Sequence, residues 1–302
     1  MASPQIQSVK QYWDSMAKVK EPPTIETMRL NDHYWAGLTS EPGDVDYIEA
    51  SVDGIPALWA VPKGAVWDRV IICLHGGGYI VGSRYSHRKI FAHIAKAIGC
   101  RALIIDYRLT PEHPHPAQSD DAIGAYRSVL EAGVKPAHII LAGDSAGGGL
   151  ALATLLRARD IGLPLPAGAV TMSAWTDLAL SGVSYDSNAE KDLVFHREMV
   201  SGLVQMLLGP DGNRADPHIS PLAGDLSGLP PVYLQVGGDE CLLDDSIAFA
   251  DRAKSAGVDA KLDVFPEMLH SFQMAAGRAP EADTAVARIA EWACPLLGLP
   301  AK

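Results

Sequence analysis

The segment Gly143–Gly147 places a serine, Ser145, between two glycines, where an apolar run ends and a helix-forming stretch begins. In this G-x-S-x-G pattern, at a strand-to-helix turn, the serine stands exposed above a sheet edge and acts as a nucleophile. Glycines are required there because side chains two residues either way from a strained serine would collide. In a chain with 28 glycines the pattern also fits a turn with an idle serine. It therefore predicts nucleophilic chemistry only together with further groups.

A second glycine-rich segment, His75–Tyr79, directly follows the apolar run VIICL. Acyl transfer places negative charge on the former carbonyl oxygen, and backbone N–H groups must already point toward it. Three glycines let the backbone approach a ligand closely, and an HGGG-type loop is the usual oxyanion partner of a nucleophilic serine turn. We predict the amides of Gly77, Gly78 and Ala146 as the oxyanion donors and a structural role for His75. The alternative is a tight turn at a strand end.

The general base is expected after the serine, because the chain order in this kind of site is serine, acid, histidine. Three histidines follow Ser145, and only His270 comes after the last β-rich run, in the segment KLDVFPEMLHSF. His196 lies in an inserted helical region and His218 in a connecting loop. We therefore predict that His270 accepts the serine proton. The alternative is a histidine in a surface loop.

The acid should end the preceding β-rich run, and the segment PVYLQVGGDECLLDD offers several carboxylates there. Asp239 is the first carboxylate past the apolar run, and we predict that it fixes the tautomer of His270. Glu240 is a rival for this role. Asp244 and Asp245 are expected to cap the following helix. The sequence thus predicts a Ser-His-Asp triad.

Eight β-rich runs alternate with helical patterns after the first forty or so residues. Several runs are apolar throughout, as in parallel strands covered by helices on both faces. The first two alternate in polarity and are joined by Asp53-Gly54, which favours an antiparallel hairpin at one edge. The pattern predicts an α/β fold with a mostly parallel eight-stranded sheet. The runs are Val45–Val52, Ala57–Val61, Val70–Leu74, Ala102–Ile105, Ile139–Ala142, Ala169–Ser173, Val232–Val236 and Lys261–Phe265.

Two segments fall outside this alternation, one at the N-terminus and one inserted between the runs that end near Ser173 and begin near Val232. Both carry apolar residues at helical spacing, which fits surface helices and a lid over an active site equally well. The N-terminal apolar face consists of Ile6, Val9, Trp13 and Met16. The candidates to line a substrate pocket are Tyr79, Tyr85, Trp175, Met199, Leu203 and Met206.

The composition bounds the class of protein. Hydrophobic residues make up 48% and charged residues 20%, as in a globular protein, and a net charge of -11 argues against a nucleic-acid partner. The chain has no membrane-spanning apolar run and no signal-peptide pattern, so we expect a cytoplasmic protein without stable membrane association. We expect no metal site, because no H-E-x-x-H pattern occurs. The cysteines lie far apart and are expected to be buried free thiols: Cys73, Cys100, Cys241 and Cys294.

Together these residues resemble the hormone-sensitive lipase family of α/β-hydrolases, the bacterial family IV esterases. The segments HGGGYI, DYRLTPEHPHPA, GDSAGG, GGDECLLDD and His270-Ser271-Phe272 carry the resemblance across nearly the whole chain. The resemblance implies an α/β-hydrolase core of residues 44–176 and 221–302. It also implies a helical cap built from residues 1–43 and 177–220, and esterase activity on short to medium acyl groups without a cofactor.

The expected enzyme is a serine carboxylesterase that forms an acyl-enzyme from a small-molecule ester. Its rate should fall at acid pH near the ordinary histidine pKa of about 6.5. The same groups would serve a lactone hydrolase or an amidase. A receptor without turnover is disfavoured, because both nucleophile and base are present. Arg84, His87 and Arg88 form either a solvated helix start or a contact for a polar or carboxylate-bearing substrate. An exposed edge strand on the C-terminal side would allow a homodimer.

Overall fold

The structure is a computed structural model that describes residues 2–17, 24–193 and 195–300. The strands are β1 Val45–Val52, β2 Ile55–Pro62, β3 Val70–Leu74, β4 Arg101–Ile105, β5 Ile139–Asp144, β6 Gly168–Met172, β7 Val232–Gly237 and β8 Ala260–Phe265. They form one sheet in the order β1-β2-β4-β3-β5-β6-β7-β8. The pairs β1–β2 and β2–β4 are antiparallel and all others parallel. This confirms the predicted α/β class, the eight strands and the antiparallel hairpin at one edge.

Helices cover both faces of this sheet and precede it at the N-terminus. They are α1 Ile6–Ala17, α2 Ile25–Leu30, α3 Asp32–Ala36, α4 Arg84–Ile98, α5 Ala117–Glu131, α6 Ala146–Asp160, α7 Ser184–Ser187, α8 Arg197–Leu208, α9 Leu243–Ser255 and α10 Pro280–Leu296. Helices α7 and α8 lie in the insertion between β6 and β7, whereas α1 to α3 form the N-terminal segment.

Strand β3 shows why its sequence is apolar at every position. Val70, Ile72 and Leu74 pack into the core on the side of α5, α6 and α9. Ile71 and Cys73 point into the opposite core, on the side of α4 and α10. Because successive side chains of a strand point to opposite faces, a strand covered on both sides needs an uninterrupted apolar run.

The N-terminal helix α1 packs its apolar face on the C-terminal half of the sheet. Ile6, Val9 and Trp13 are buried in a cluster with Phe265 and Phe272. This confirms the predicted apolar face for these three residues, whereas the side chain of Met16 lies outside those that the structure describes. The N-terminal segment is thereby attached next to the chain that follows β8.

All four cysteines are buried, and within the described residues none forms a disulfide, as the sequence predicts. Within residues 2–17, 24–193 and 195–300, no helix has the length and apolar content that a bilayer crossing requires.

Parallel pairing brings the carboxyl ends of the six strands β3 to β8 to one edge of the sheet. Leu74 at the end of β3 is level with Gly143 of β5, and Gly237 of β7 is level with Phe265 of β8. At this edge α6 begins directly against β3: a Cβ on Gly147 would lie 2.1 Å from the carbonyl oxygen of Leu74. The close approach places the start of α6 beside the loop that follows β3.

We predict that Gly147→Ala lowers the free energy of unfolding by roughly 1–3 kcal/mol, because the added methyl meets backbone atoms that have no room to move. Gly202 lies in α8 with open space around its Cα. Gly202→Ala should therefore raise the free energy of unfolding by about 0.5–1 kcal/mol through helix propensity. Urea unfolding followed by circular dichroism compares the two variants. Equal midpoints for both would contradict this packing.

Candidate active site

The candidate nucleophile lies on the sharp turn between β5 and α6. Ser145 has φ 53° and ψ -120°, a backbone conformation that is strained for a residue with a side chain. Three backbone hydrogen bonds hold it: its N–H donates to Met172 O at 2.8 Å, and its carbonyl accepts from Trp175 N at 3.0 Å and from Gly149 N at 3.1 Å. Strand β5 ends just before this turn and α6 begins just after it, so the turn holds the hydroxyl beyond the edge of the sheet.

His270 lies in the loop after β8, and its imidazole reaches the serine. Its Nε2 is 2.9 Å from Ser145 Oγ, and the residue is almost wholly buried. The edge of the Phe195 ring packs against the imidazole at a centroid distance of 4.5 Å. The structure therefore brings together the two residues that the sequence predicted as nucleophile and base.

The following residue, Ser271, fixes the loop that carries this imidazole. Ser271 adopts a left-handed conformation with φ 53°. Its hydroxyl donates to Asp144 Oδ1 at 2.7 Å, and its N–H donates to Ser173 Oγ at 2.9 Å. Asp144 immediately precedes the nucleophile, so the loop that carries the histidine is bonded to the turn that carries the serine.

The prediction of Asp239 as the acid is wrong, because Glu240 occupies that position. Glu240 Oε2 lies 3.1 Å from His270 Nδ1, and the glutamate is fully buried. Asp239 points to the surface between two lysines, with Lys10 Nζ at 3.8 Å and Lys191 Nζ at 3.6 Å. Glu240 is buried whereas Asp239 is partly exposed, and the glutamate carboxylate is the one that reaches the imidazole. In the sequence, the apolar run that follows Glu240 could have indicated that Glu240 is buried, whereas Asp239 follows two glycines.

The electrostatics of this pair favour a charged imidazole. Burial alone would lower the pKa of His270, but the hydrogen bond and the charge of Glu240 outweigh it, and the pKa is raised above its ordinary value of 6.5. Burial also raises the pKa of the Glu240 carboxyl. With Nδ1 protonated and donating to Glu240, the Nε2 lone pair of His270 is free to accept the Ser145 proton.

The loop after β3 supplies the backbone amides expected of an oxyanion hole. Gly77 and Gly78 have φ of +115° and +60°, and Ala146 is the first residue of α6, where an amide has no partner within the helix. Within the described part of the chain, none of these three N–H groups donates a hydrogen bond. The Tyr79 hydroxyl ties the loop to the helix by donating to Ala146 O at 2.9 Å.

His75, at the start of this loop, has the surroundings of a structural residue. Its Nδ1 is 2.8 Å from Gly76 O, and its ring stacks on Tyr107 at a centroid distance of 4.2 Å. Burial lowers the pKa of His75 to about 4. His75 is therefore neutral at the pH where the site would work, in keeping with a structural role.

The candidates for the substrate pocket separate into a buried and an exposed group. Tyr79 and Trp175 are buried with ring centroids 5.9 Å apart, and Leu203 of α8 covers Gly78, where an added Cβ would lie 2.8 Å from Leu203 Cδ1. Tyr85 is 48% exposed and donates to Glu49 on the surface, so its prediction as a pocket residue is wrong. The helical placement of Met199 and Met206 on α8 leaves both partly buried.

A shallow indentation beside the imidazole, too small to hold a water molecule, is lined by residues from the N-terminal helix, the insertion and the loop after β8: Trp13, Asp192, Leu193, Leu269 and His270. The sequence analysis did not select Asp192, Leu193 or Leu269. Their common feature is position next to His270 in space, which no local sequence pattern reveals.

The two arginines after the glycine loop form surface ion pairs. Arg84 pairs with Asp106 and Glu49, and Arg88 Nη2 lies 2.9 Å from Glu41 Oε2. These contacts favour the structural alternative over binding of a carboxylate-bearing substrate, because the guanidinium groups already have carboxylate partners.

Comparison with known proteins agrees with this architecture. Residues 71–274 match a family model described as an alpha/beta hydrolase fold. An acetyl-hydrolase from Streptomyces hygroscopicus is 38% identical over 274 residues, covering 89% of each chain. An esterase from Acinetobacter venetianus is 38% identical over 228 residues, covering 76% of this chain and 75% of its own.

Solved structures show the same likeness. The crystal structure of an esterase from the bacterial hormone-sensitive lipase family superposes with a TM-score of 0.95 at 42% identity, covering 99% of this chain and 100% of that one. The chain therefore belongs to the α/β-hydrolase fold family and, within it, to the bacterial hormone-sensitive lipase family of esterases. This confirms the resemblance stated from the sequence.

We predict that Glu240→Gln lowers kcat by about 10²–10⁴-fold, because a neutral amide does not stabilise the imidazolium. Asp239→Asn is the matched control and should change kcat by less than about threefold, since its carboxylate pairs with Lys10 and Lys191 near the surface rather than with the imidazole. Steady-state kinetics on a chromogenic ester compares the two. The reverse order of losses would restore Asp239 as the acid.

The pH profile of kcat/KM gives an independent test of the same pair. Activity should fall as the pH drops through the raised pKa of His270, because a protonated imidazole no longer accepts the serine proton. The acid limb of the wild type should therefore lie above pH 6.5. In Glu240→Gln it should move to lower pH, since burial then acts on the imidazole without the opposing carboxylate. An acid limb that stays in place would contradict the pairing.

Proposed function

We propose that the protein is a serine carboxylesterase that hydrolyses esters of short to medium acyl groups through a Ser145–His270–Glu240 triad. The observation that carries this proposal is the pair of contacts made by one buried imidazole, with Ser145 Oγ at 2.9 Å on one side and Glu240 Oε2 at 3.1 Å on the other. This is the geometry in which a histidine takes a serine proton while a carboxylate fixes its tautomer.

Acylation begins when Ser145 Oγ attacks the ester carbonyl carbon. His270 Nε2 takes the hydroxyl proton as the new C–O bond forms, and Glu240 stabilises the resulting imidazolium. The carbonyl π electrons move to oxygen, which gives a tetrahedral oxyanion. As the oxyanion collapses, the bond to the alcohol oxygen breaks and His270 returns the proton to the leaving alcohol. The acyl group is then an ester of Ser145.

The amides of Gly77, Gly78 and Ala146 are the proposed donors to that oxyanion. Support comes from their lack of acceptors within the described residues and from the start of α6, whose N-terminal dipole favours negative charge. Glycine is needed at position 77, since a Cβ there would lie 2.3 Å from the carbonyl oxygen of Val81. A preformed donor set costs no rearrangement when the charge appears.

Deacylation repeats the sequence with water as the nucleophile. His270 removes a proton from water, which attacks the acyl carbon, and the same amides stabilise the second oxyanion. Collapse breaks the bond to Ser145 Oγ, which recovers its proton from His270, and the carboxylic acid leaves. Each proton and electron pair is accounted for by the ester, the water and these side chains.

The proposed size of the acyl group rests on the close packing around the site. Leu203 covers Gly78, and the indentation beside His270 is small. Relatives named acetyl-hydrolase and esterase are compatible with a small ester as substrate.

We expect Ser145→Ala to lower ester turnover by at least about 10⁴-fold while the fold is retained, because among the described residues Ser145 supplies the hydroxyl at His270 Nε2. Ser255→Ala, an exposed serine of α9, is the control and should keep full activity. An activated phosphonate should label the wild type once, at Ser145, by mass spectrometry. Ordinary turnover by Ser145→Ala would refute the mechanism.

A panel of p-nitrophenyl esters of graded acyl length, with lactones and anilides alongside, tests the substrate class. We predict the highest kcat/KM among acyl chains of about two to six carbons and a loss of tenfold or more for a twelve-carbon chain, because the longer chain has no room beneath Leu203. Higher kcat/KM on lactones or anilides than on any of these esters would instead identify a lactone hydrolase or an amidase.

A further inference from the structure

One nitrogen of His87 joins three separate parts of the chain beneath the candidate active site. His87 lies in the first turn of α4 and is 1% exposed. Its Nε2 accepts from the backbone N–H of Gly76 at 3.1 Å and from the indole N–H of Trp35 at 3.1 Å. Gly76 belongs to the glycine loop after β3, and Trp35 belongs to α3 in the N-terminal segment.

These contacts fix the protonation state of the His87 ring. Both donors at Nε2 are N–H groups, so Nε2 must carry a lone pair and Nδ1 the proton. The Nδ1–H donates to Ser86 Oγ at 2.9 Å, and the Ser86 hydroxyl donates in turn to Ser83 O at 3.0 Å. Asp144 Oδ2 lies 3.4 Å from Nε2. With a neutral ring this contact is not an ion pair.

The hydrogen bond from the Gly76 N–H to His87 Nε2 matters because of where Gly76 lies in the loop. Gly76 immediately precedes Gly77 and Gly78, the proposed oxyanion donors, and three glycines in a row have no side chains that could hold this part of the loop. An acceptor for the Gly76 N–H fixes the orientation of the peptide at the start of the loop. Without it a buried N–H would have no partner, which the loop would avoid by moving.

We propose that His87 is a positioning residue for the oxyanion loop and that Trp35 of the N-terminal segment acts on the loop through the same nitrogen. This inference rests on the proposed function, since it assigns a role in stabilising the oxyanion. His87 touches neither substrate nor reacting atoms. Its effect on rate comes from holding the Gly76 peptide where the next two amides converge.

The test compares His87→Leu, which removes the acceptor, with His87→Gln, whose side-chain oxygen reaches the place of Nε2. Active sites are counted first with an activated phosphonate, so that kcat refers to folded enzyme. We expect His87→Leu to lower kcat by about 10–100-fold with KM changed less than threefold, because a displaced donor costs less than a deleted one. His87→Gln should recover most of that loss.

His93→Leu is the matched control. His93 lies on the same helix and also bonds the N-terminal segment, with Nε2 3.0 Å from Ser40 O, but it does not touch the glycine loop. It should keep kcat within about threefold. A trifluoromethyl ketone, which forms a tetrahedral adduct with the serine, should bind His87→Leu more weakly by the factor lost in kcat/KM.

The position of the proton on His87 and the effect of Trp35→Phe alone can both be measured whether or not His87→Leu folds. Long-range ¹H–¹⁵N spectra of the wild type should show His87 with its proton on Nδ1. Trp35→Phe should lower kcat by a few fold alone and have no further effect in the His87→Leu background.

Three results would overturn the inference while leaving the proposed function intact: a proton on Nε2, equal losses in the Leu and Gln variants, or an unchanged kcat per titrated site. Failure of the proposed function itself would appear separately, as turnover that survives Ser145→Ala.

Discussion

The proposed activity depends on the hydrogen bond between His270 Nε2 and Ser145 Oγ, and the groups around the site hold these two atoms together. A serine hydroxyl does not ionise near neutral pH, so it becomes a nucleophile only while a base removes its proton. Here the base is buried and its partner Glu240 fully so. A buried carboxylate is tolerated only when it is paired, and breaking such a pair strands a charge at a cost of about 3–5 kcal/mol. Glu240 and His270 therefore hold each other in place.

The alignment of these groups depends on chain segments outside the sheet. The insertion between β6 and β7 secures the turn that carries the acid: the Asn188 side chain donates to Glu240 O at 3.0 Å, and the Asp192 carboxylate accepts from Cys241 N at 2.8 Å. The N-terminal segment packs Trp13 beside the imidazole. The sheet edge thus presents the strand ends, and these two segments determine which side chains meet there.

The sequence predictions were right for the groups that local backbone geometry determines, and wrong for groups whose position depends on distant segments. The serine turn and the glycine loop could be predicted because a positive φ or a close approach to backbone atoms excludes most residue types, as at Gly77 and Gly147. The choice between Asp239 and Glu240 was wrong because the path of the turn is set by Asn188 and Asp192, some fifty residues earlier in the chain. The prediction for Tyr85 was wrong for a similar reason. Tyr85 follows the glycine loop closely in sequence, but its position on α4 places its side chain at the surface.

The proposed mechanism requires that one imidazole links Glu240 to Ser145 while the loop amides face the carbonyl oxygen of the ester. A crystal structure of the enzyme with a phosphonate bound covalently to Ser145 Oγ measures this directly, since the tetrahedral phosphorus imitates the intermediate. We predict that the phosphoryl oxygen lies within hydrogen-bonding distance of the amides of Gly77, Gly78 and Ala146, with His270 Nδ1 still bonded to Glu240. A phosphoryl oxygen turned away from these amides, or an imidazole bonded to Asp239, would contradict it.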